Sequence, residues 1–367
     1  MTAESHIYQS LAVQVARRIG DGIRQRKWIE YLPSERNLAE SLHVSRKTIR
    51  KSLAILQHEG LIRTIQGRGH QIIDQHKPGK SSSPERTVGL VAPDSIEHMR
   101  PFTALWIDAL RSLLFENGVR LITFSGPRFF SGQPEKALAR LVSQNPQTSW
   151  ILAHSNEPIQ KWFSEQSVPC VLAGSNHPSY NLPNVDLDYF GVCRHAVGAM
   201  LRNGHRRITF LTQKSQRAGD LESEAGFTAG ARQPHYENVN STIVRHDGTP
   251  RGVNRMLTRL FNYGSPPTAI LVANPSYYLT TITFLAQRGL RVPDDISLVC
   301  RDDDSFLEFL NPSPTRYSCS PLAYAKRILQ PVLVKIRGEP LVKSAIRIEV
   351  RYNQGKSLKA LAGSEQL

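Results

Sequence analysis

Cysteine is scarce in this sequence of 367 residues, and its four positions follow no metal-binding or redox spacing. Such scattered cysteines do not build a disulfide framework, which favours a reducing compartment. The sequence also lacks any apolar run of the roughly 20 residues that a membrane-spanning helix requires. Residues 1–6 contain no basic start followed by an apolar segment, so we expect no signal peptide, no membrane partner and a cytoplasmic protein.

Motifs that mark common enzymes are missing as well. We find no nucleophile elbow, no Walker loop, no His-Glu-x-x-His pattern and no cluster of histidine and cysteine ligands in the sequence. The prediction is therefore a protein without catalytic residues, metal or cofactor. An enzyme region joined to a binding domain is the alternative, but it would require a lysine placed for Schiff-base chemistry, and no such context is visible.

Acidic residues are outnumbered, with 31 Asp and Glu against 46 Lys and Arg, which gives a formal net charge of +15. Residues 1–80 hold 14 basic and 7 acidic residues, a net of +7, so the other 287 residues share the remaining +8. The charge density of the N-terminal segment is thus roughly three times higher. This excess indicates a polyanionic partner for that segment.

A pattern of two short helices and a hairpin occupies the segment 32–73. Ser34 and Ser45 each precede an amphipathic run and are typical N-cap residues, and Gly60 ends the second helix. Two strand-like runs then flank a glycine-containing turn. With a further amphipathic helix predicted at 8–26, this order is typical of a winged helix-turn-helix, an α+β fold.

The second helix of the motif carries a basic face. Arg46, Thr48 and Arg50 lie on its first turns, where a helix in the major groove meets base edges. Lys47 and Lys51 are better placed for phosphates, which position a protein without reading sequence. A solvated helix face is the alternative interpretation. The candidate DNA contacts from this pattern are Ser45, Arg46, Lys47, Thr48, Arg50 and Lys51 on the helix and Gln66, Arg68, Gly69 and His70 on the hairpin.

Four short motifs mark the same segment: Leu-Pro-Ser-Glu-Arg at 32–36, Val-Ser-Arg-Lys-Thr-Ile-Arg at 44–50, Glu-Gly-Leu-Ile at 59–62 and Gly-Arg-Gly at 67–69. Together they resemble the DNA-binding domain of the GntR family of bacterial regulators. The resemblance implies that Arg36, Arg46 and Arg50 contact DNA, with Thr48 and the hairpin assisting. One departure lies at 27–31, where the family's usual glycine turn is replaced.

Beyond residue 87, short apolar strands alternate with amphipathic helices. Such alternation predicts parallel sheets covered by helices. About 270 residues exceed one ordinary sheet, so we predict two doubly wound parallel-sheet α/β lobes. Ligands of open α/β sheets bind at the carboxyl ends of the strands, which places the expected site in the cleft between the lobes.

The predicted domains follow from these patterns and a change in composition. Residues 76–86 are polar and rich in Pro, Gly and Ser, which is typical of a flexible linker. The domains are therefore a winged helix-turn-helix at 1–75, the linker at 76–86, the two-lobed α/β region at 87–355 and a tail at 356–367.

Two longer motifs stand in the α/β region, Gly-His-Arg-Arg-Ile at 204–208 and Gly-Leu-Arg-Val-Pro-Asp-Asp-Ile at 289–296. They resemble the effector-binding region of the LacI/GalR regulators, which has the periplasmic-binding-protein fold. The resemblance implies that Asp302 accepts hydrogen bonds from ligand hydroxyls, which suits a sugar. It also implies that Asn274 and Phe102 line the cleft.

Two further cleft residues are predicted from their positions alone. Asp94 lies in the loop after the first strand, and His154 follows the end of another strand. Each candidate has a structural alternative, because Phe102 fits a core position, Asp302 fits a helix cap and His154 fits a surface histidine.

The α/β region departs from the family pattern at the cleft. Cys300-Arg301-Asp302-Asp303 stands where the family usually has Gly-Phe-Asp-Asp. Ser223 occupies the position of an arginine that the family places three residues before Gly226-Phe227. Loss of that arginine predicts a pocket with fewer donors.

Taken together, the resemblances imply a ligand-controlled transcription factor that represses a sugar or related metabolite operon, a combination known from arabinose-type repressors. Its expected partners are double-stranded DNA with a near-palindromic operator, a sugar or sugar derivative, and a second copy of the chain. The alternative is an architectural DNA-binding protein whose α/β region serves only for dimerisation.

Overall fold

The computed structural model describes residues 11–24, 28, 30–58, 60–65, 69–73, 86–145, 149–234, 236–263, 265–341 and 344–361. The chain separates into two compact units between residues 84 and 85. Most of the predicted linker, residues 76–85, lies outside the described residues, as do Gln66 and Arg68 of the predicted hairpin turn. The predicted C-terminal tail is described as far as Leu361.

Three helices and a two-stranded hairpin are described in the first unit: α1 (Leu11–Arg24), α2 (Glu35–Leu42), α3 (Arg46–His58), β1 (Ile62–Ile65) and β2 (Gly69–Ile72). The two strands pair antiparallel, with Ile62 opposite Ile72. Tyr31, which precedes the Leu-Pro-Ser-Glu-Arg motif, adds an isolated antiparallel bridge to Gln71 of the hairpin. The predicted winged helix-turn-helix is confirmed.

Both predicted serine caps hold helices of this unit in place. The Ser34 hydroxyl accepts a hydrogen bond from the backbone N–H of Asn37 at the start of α2. The Ser45 hydroxyl accepts one from the backbone N–H of Thr48, 3.1 Å away, on the first turn of α3. These bonds satisfy amides that a helix N-terminus otherwise leaves free. The buried core beneath them includes Ile19, Leu38, Ile49, Leu53, Leu56, Ile62 and Ile72.

Twelve strands and eight helices are described in the second unit. The strands are β3 (Arg86–Ala92), β4 (Val119–Ser125), β5 (Ser149–Ala153), β6 (Cys170–Ala173), β7 (Asn184–Leu187), β8 (Arg207–Gln213), β9 (Asn240–His246), β10 (Ala269–Val272), β11 (Ser297–Cys300), β12 (Thr315–Ser318), β13 (Ala345–Ile348) and β14 (Arg351–Asn353). The helices are α4 (Pro101–Glu116), α5 (Glu135–Ser143), α6 (Glu157–Glu165), α7 (Tyr189–Arg202), α8 (Ala218–Ala231), α9 (Pro250–Asn262), α10 (Pro275–Gln287) and α11 (Pro321–Ile336).

Two six-stranded sheets divide this unit into lobes. The first lobe has the order β13-β7-β6-β5-β3-β4, with every neighbouring pair parallel. The second lobe has the order β14-β12-β11-β10-β8-β9, in which only β14 runs antiparallel. The chain crosses between the lobes after β7, after β12 and after β13. The prediction of two doubly wound lobes is confirmed.

The sequence patterns did not predict two of these helices, α8 and α11. The α8 segment is built largely of small residues that produce no amphipathic stripe, and it packs closely on α7. A Cβ atom at Gly226 would lie 2.2 Å from the carbonyl oxygen of Phe190, so this contact requires glycine. The α11 segment contains Pro331, which ordinarily argues against a helix interior. None of the helices in the described ranges has the length and apolar character needed to cross a bilayer.

Candidate ligand cavity and nucleic-acid interface

A cavity of about 390 Å³ lies between the two lobes, at the carboxyl ends of several strands. Of the five predicted ligand-binding residues, Asp94, Phe102, His154 and Asn274 line its wall. Asp302 does not belong to this wall. The sequence therefore located the cleft and four side chains that border it, while the fifth has a different position.

Phe102 and Asp94 border the cavity from the first lobe. Phe102 lies on the first turn of α4, where its half-buried ring meets the ring of Tyr324 edge-on with centroids 5.6 Å apart. It therefore packs against the core and faces the cavity at once. Asp94 lies two residues beyond β3 and is exposed. Its carboxylate is thus accessible to a ligand's hydroxyl groups.

His154 follows β5 with a left-handed backbone, at a φ of 50°. Its Nε2 lies 3.1 Å from the Thr103 hydroxyl oxygen. Although the residue faces the open cavity, burial by the surrounding protein lowers the pKa of His154 to about 4, and the charges of Arg217 and Arg100 lower it further. His154 is therefore a neutral hydrogen-bonding group at neutral pH.

Asn274 has two functions on the opposite wall. It is the N-cap residue of α10, and its side-chain oxygen accepts a hydrogen bond from the backbone N–H of Tyr277, 3.1 Å away. Since the carbonyl oxygen is used in this cap, the amide nitrogen is the group left to donate to a ligand.

Asp302 is the centre of a buried ion-pair cluster. Its carboxylate accepts hydrogen bonds from Nε and Nη2 of Arg301, at 3.1 and 3.2 Å, and from Nη1 of Arg100, at 2.7 Å. Arg100 belongs to the first lobe and Asp302 to the second, so this contact joins the lobes. With its side chain only 4% exposed, Asp302 can receive a ligand hydroxyl only if an arginine moves away.

The electrostatics of this cluster favour the ionised carboxylate. Burial by itself would raise the pKa of Asp302, but the charges of Arg301 and Arg100 outweigh it and lower the pKa below the ordinary value. The Arg301 guanidinium also lies over the ring of Tyr189, 4.5 Å from its centroid. These contacts fix Arg301 firmly.

Arg301 contacts Ser223, the residue at the position where the family usually has an arginine. Its Nη1 donates a hydrogen bond to the Ser223 hydroxyl, 2.8 Å away. The two departures from the family pattern, at 223 and at 301, are therefore in direct contact. Arg301 and Arg100 both line the cavity, so guanidinium groups are present there although residue 223 is a serine.

A second polar contact joins the lobes at Ser175. Its hydroxyl oxygen lies 2.8 Å from Asp186 and 3.0 Å from Glu222 of the second lobe. Arg347, on β13, donates to both Ser175 and Glu222. Burial raises the pKa of Asp186 to about 7, with the Ser175 hydrogen bond acting in the opposite direction.

On the first unit, the basic residues of α3 form an exposed surface. Arg46, Lys47, Arg50 and Lys51 are all exposed, while Ile49 between them is fully buried. The four cations therefore share the outer face of α3, and the helix segment contains no acidic residue. Thr48 lies on the same first turn, with its hydroxyl 2.9 Å from that of Ser45.

Glu35 of α2 contacts this basic surface, although the sequence did not predict it as part of the site. Its carboxylate lies 2.8 Å from Nε of Arg50 and 3.9 Å from Nη2 of Arg46. Arg36, the neighbouring predicted DNA contact, pairs instead with Glu40 at 3.0 Å. On the hairpin, Gly69 is exposed and His70 is half-buried.

Two protein families match the two units. The model for bacterial regulatory proteins of the gntR family matches residues 11–72. The model for the periplasmic binding protein-like domain matches residues 197–358. The chain joins a GntR-type DNA-binding domain to a periplasmic-binding-protein-like domain. The first match includes α3, and the second includes the cavity residues of the second lobe, such as Asn274 and Arg301.

Curated relatives and solved structures resemble much of the chain. The arabinose metabolism transcriptional repressor of Geobacillus stearothermophilus is 26% identical over 294 residues, which cover 77% of this chain and 78% of that protein. The structure of a LacI family regulator from Enterococcus faecium with bound ribose superposes with a TM-score of 0.62 at 17% identity, covering 75% of this chain and all of that one. The complex of the regulator CelR with cellobiose gives a TM-score of 0.62 at 20% identity, covering 89% and 100%. The structural likenesses establish the periplasmic-binding-protein fold of the second unit.

Proposed function

We propose that the protein is a ligand-responsive transcriptional repressor of a bacterial operon for a sugar or a related metabolite. The observation that carries this proposal is the presence, in one chain, of a capped helix with four exposed cations and a polar cavity between two lobes. Relatives named as transcriptional repressors and regulators, one for arabinose metabolism and one solved as a complex with cellobiose, support it. A cytoplasmic location follows from this function.

In this function α3 enters the major groove of the operator. Arg46, Thr48 and Arg50 contact base edges from its first turns, and Lys47 and Lys51 bind phosphates. Arg36 and the hairpin residues Gly69 and His70, with Gln66 and Arg68 of the turn, add contacts around this helix. Two chains in a homodimer present two such helices to a near-palindromic site, with half-sites about one helical turn or a multiple of it apart.

The effector acts from the cavity between the lobes. Asp94, Phe102, His154 and Asn274 contact it directly, and Asp302 acts through the two arginines that it holds. A ligand shifts the equilibrium between lobe arrangements only by its difference in affinity for them. The Arg100–Asp302 contact belongs to one such arrangement, because it joins the lobes.

Fluorescence anisotropy with the full-length protein tests this function. Labelled DNA fragments from upstream of its own gene are titrated in parallel with random fragments of equal length, with and without a panel of sugars and sugar derivatives. We expect one fragment to bind at least about a thousandfold more tightly than random DNA at physiological salt. We also expect one member of the panel to change that affinity. Equal binding to every fragment would contradict the proposal.

The architectural alternative makes a different prediction for small molecules. The burial of Asp302 behind two arginines is the observation that favours it, since an aspartate in an open cleft would be the simplest sugar contact. A true effector raises the melting temperature of the protein, and the rise grows with the logarithm of the ligand concentration above the Kd. Absence of any such shift across the panel, together with binding that ignores sequence, would support the alternative.

A further inference from the structure

Two helices from opposite lobes begin at the cavity without a capping side chain. Arg100 is the N-cap residue of α4 and Arg217 that of α8, and neither makes a side-chain cap hydrogen bond. Both line the cavity. Arginine cannot accept the hydrogen bond that a cap requires, and its charge lies at the positive end of the helix dipole. The other helices that begin in the second lobe are capped normally: α7 by Asp188, α9 by Thr249 and α10 by Asn274.

Two buried polar atoms on the cavity wall have no hydrogen-bond partner among the described residues. One is the hydroxyl of Thr212 in β8, a residue that is only 1% exposed. The other is Nε of Arg100, whose Nη1 is already bonded to Asp302. A buried polar atom without a partner is unfavourable, which makes each of them an unused contact for a ligand. Thr212 belongs to the second lobe and Arg100 to the first.

Two of the three arginines of the cavity wall are held in ion pairs. Arg100 and Arg301 are balanced by Asp302, which both contact, and by Asp220, whose carboxylate lies 3.5 Å from Nη1 of Arg301. Arg217 is exposed and forms no ion pair in the part of the chain that the structure describes.

The remaining carboxyl groups of the wall form no ion pair with Arg217 in the described ranges. Asp186 is buried and has a pKa raised to about 7, so it carries only part of a negative charge at neutral pH. Asp94 is exposed beyond the end of β3 and pairs with no cation in the described ranges. It is therefore free to accept hydrogen bonds from hydroxyl groups.

We propose that the cavity binds a polyhydroxylated small molecule that carries one anionic group, a carboxylate or a phosphate. The anionic group lies between the N-termini of α4 and α8, where Arg217 and Nε of Arg100 donate to it and the Thr212 hydroxyl reaches it from β8. Asp94 and Asn274 bind the hydroxyl groups. This assignment rests on the proposed function, because it takes the cavity as the effector site. It replaces a neutral sugar by a sugar acid or a sugar phosphate.

Matched ligands test the assignment by isothermal titration calorimetry on the full-length protein. Each set contains a neutral sugar, the corresponding sugar acid and the corresponding sugar phosphate, for glucose, galactose and arabinose. We expect an acid or a phosphate to bind at least about tenfold more tightly than its neutral counterpart, and more weakly as salt rises. Comparison of the acid with the phosphate identifies which anionic group fits.

The variant Arg217→Gln isolates the contribution of the charge. Its side chain is exposed and unpaired, so the variant should melt with the wild type in the absence of ligand. We expect it to weaken binding of the anionic ligand roughly ten- to hundredfold and to change the affinity for the neutral counterpart less than about twofold. Arg259→Gln, which removes an exposed arginine of α9 outside the cavity wall, is the matched control and should leave both affinities unchanged.

Three results would overturn the assignment: a neutral sugar that binds as tightly as its anionic partners, an unchanged affinity of Arg217→Gln for the anion, or no binding by any set. Tight binding of a neutral sugar, or an unchanged affinity of the variant, would leave the proposed function intact if the bound ligand still alters operator binding. Failure of the proposed function itself appears separately, as loss of sequence preference in the anisotropy experiment.

Discussion

Replacement of Asp302 by asparagine tests the buried cluster that joins the lobes. The substitution keeps the shape of the side chain but removes the charge that balances Arg301 and Arg100. Removing one partner of a buried ion pair costs roughly 3–5 kcal/mol, because the remaining charge stays buried without its counterion. Arg301 is 6% exposed, whereas Arg100 is 33% exposed and recovers part of its hydration. We therefore expect the lower end, about 3 kcal/mol.

Thermal unfolding of the full-length protein measures this loss. For a domain of this size, about 3 kcal/mol corresponds to a fall in Tm of roughly 6–12 °C. The pKa of Asp302 is lowered, so its stabilising effect is present above the ordinary carboxyl pKa and is lost only as the pH falls through the lower folded value. The difference between wild type and Asp302→Asn should thus stay constant from about pH 5 to about pH 8.

Asp294→Asn is the control for this experiment, since Asp294 pairs with Lys359 at 2.9 Å on the exposed surface of the same lobe. Exposed ion pairs contribute little, so the control should melt close to the wild type. Equal melting temperatures for Asp302→Asn and the wild type would refute the reasoning. They would mean that the two arginines do not depend on Asp302 for their charge balance.

Two further predictions concern the DNA-binding surface and the pH dependence of stability. Arg50→Ala should cost roughly 1–3 kcal/mol of binding to the preferred operator, whereas Lys51→Ala should weaken all sequences alike and reduce the salt slope by about one, both measured by anisotropy titrations in rising salt. The raised pKa of Asp186, about 7 against 3.8, means that the folded state holds its proton longer than the unfolded state, so stability falls as the pH rises through this window. As the pH rises from about 4 to about 7, the free energy of unfolding of Asp186→Asn should therefore increase relative to that of the wild type, by up to about 4 kcal/mol. Urea unfolding at several pH values measures this difference.

A different outcome would contradict each of these predictions. Equal losses of Arg50→Ala on operator and random DNA would remove Arg50 from base recognition and make it a phosphate contact. A parallel pH profile of Asp186→Asn and the wild type would mean that the carboxyl group ionises normally in the folded protein.

Local sequence signals determined most of the first unit. Ser34 and Ser45 act through hydrogen bonds to residues three positions away, at Asn37 and Thr48, so the sequence alone contains both partners of each cap. The contact between Glu35 and Arg50 spans 15 residues and two helices, and its geometry depends on how α2 and α3 pack. The sequence pattern therefore did not predict the contact between Glu35 and Arg50.

Side chains in the cleft depend partly on contacts between residues that are far apart in the chain. Strand ends located Asp94 and His154, because parallel strands place their carboxyl ends at one edge, and the family resemblance located Asn274. The environment of Asp302 depends on Arg100, which is 202 residues away in the chain and in the other lobe. No local sequence pattern can predict a contact between residues so far apart in the chain. The uncapped start of α8 was also not predicted, because the small residues of this helix give no amphipathic pattern.

The contact between Ser223 and Arg301 constrains how this pocket can be altered. An attempt to restore the usual family residue at 223 alone would bring a second guanidinium into a space that Arg301 already fills. Restoring phenylalanine at 301 alone would leave the Ser223 hydroxyl and Asp302 without their shared donor. We expect each exchange alone to be unfavourable, so a specificity redesign has to change both positions in one step.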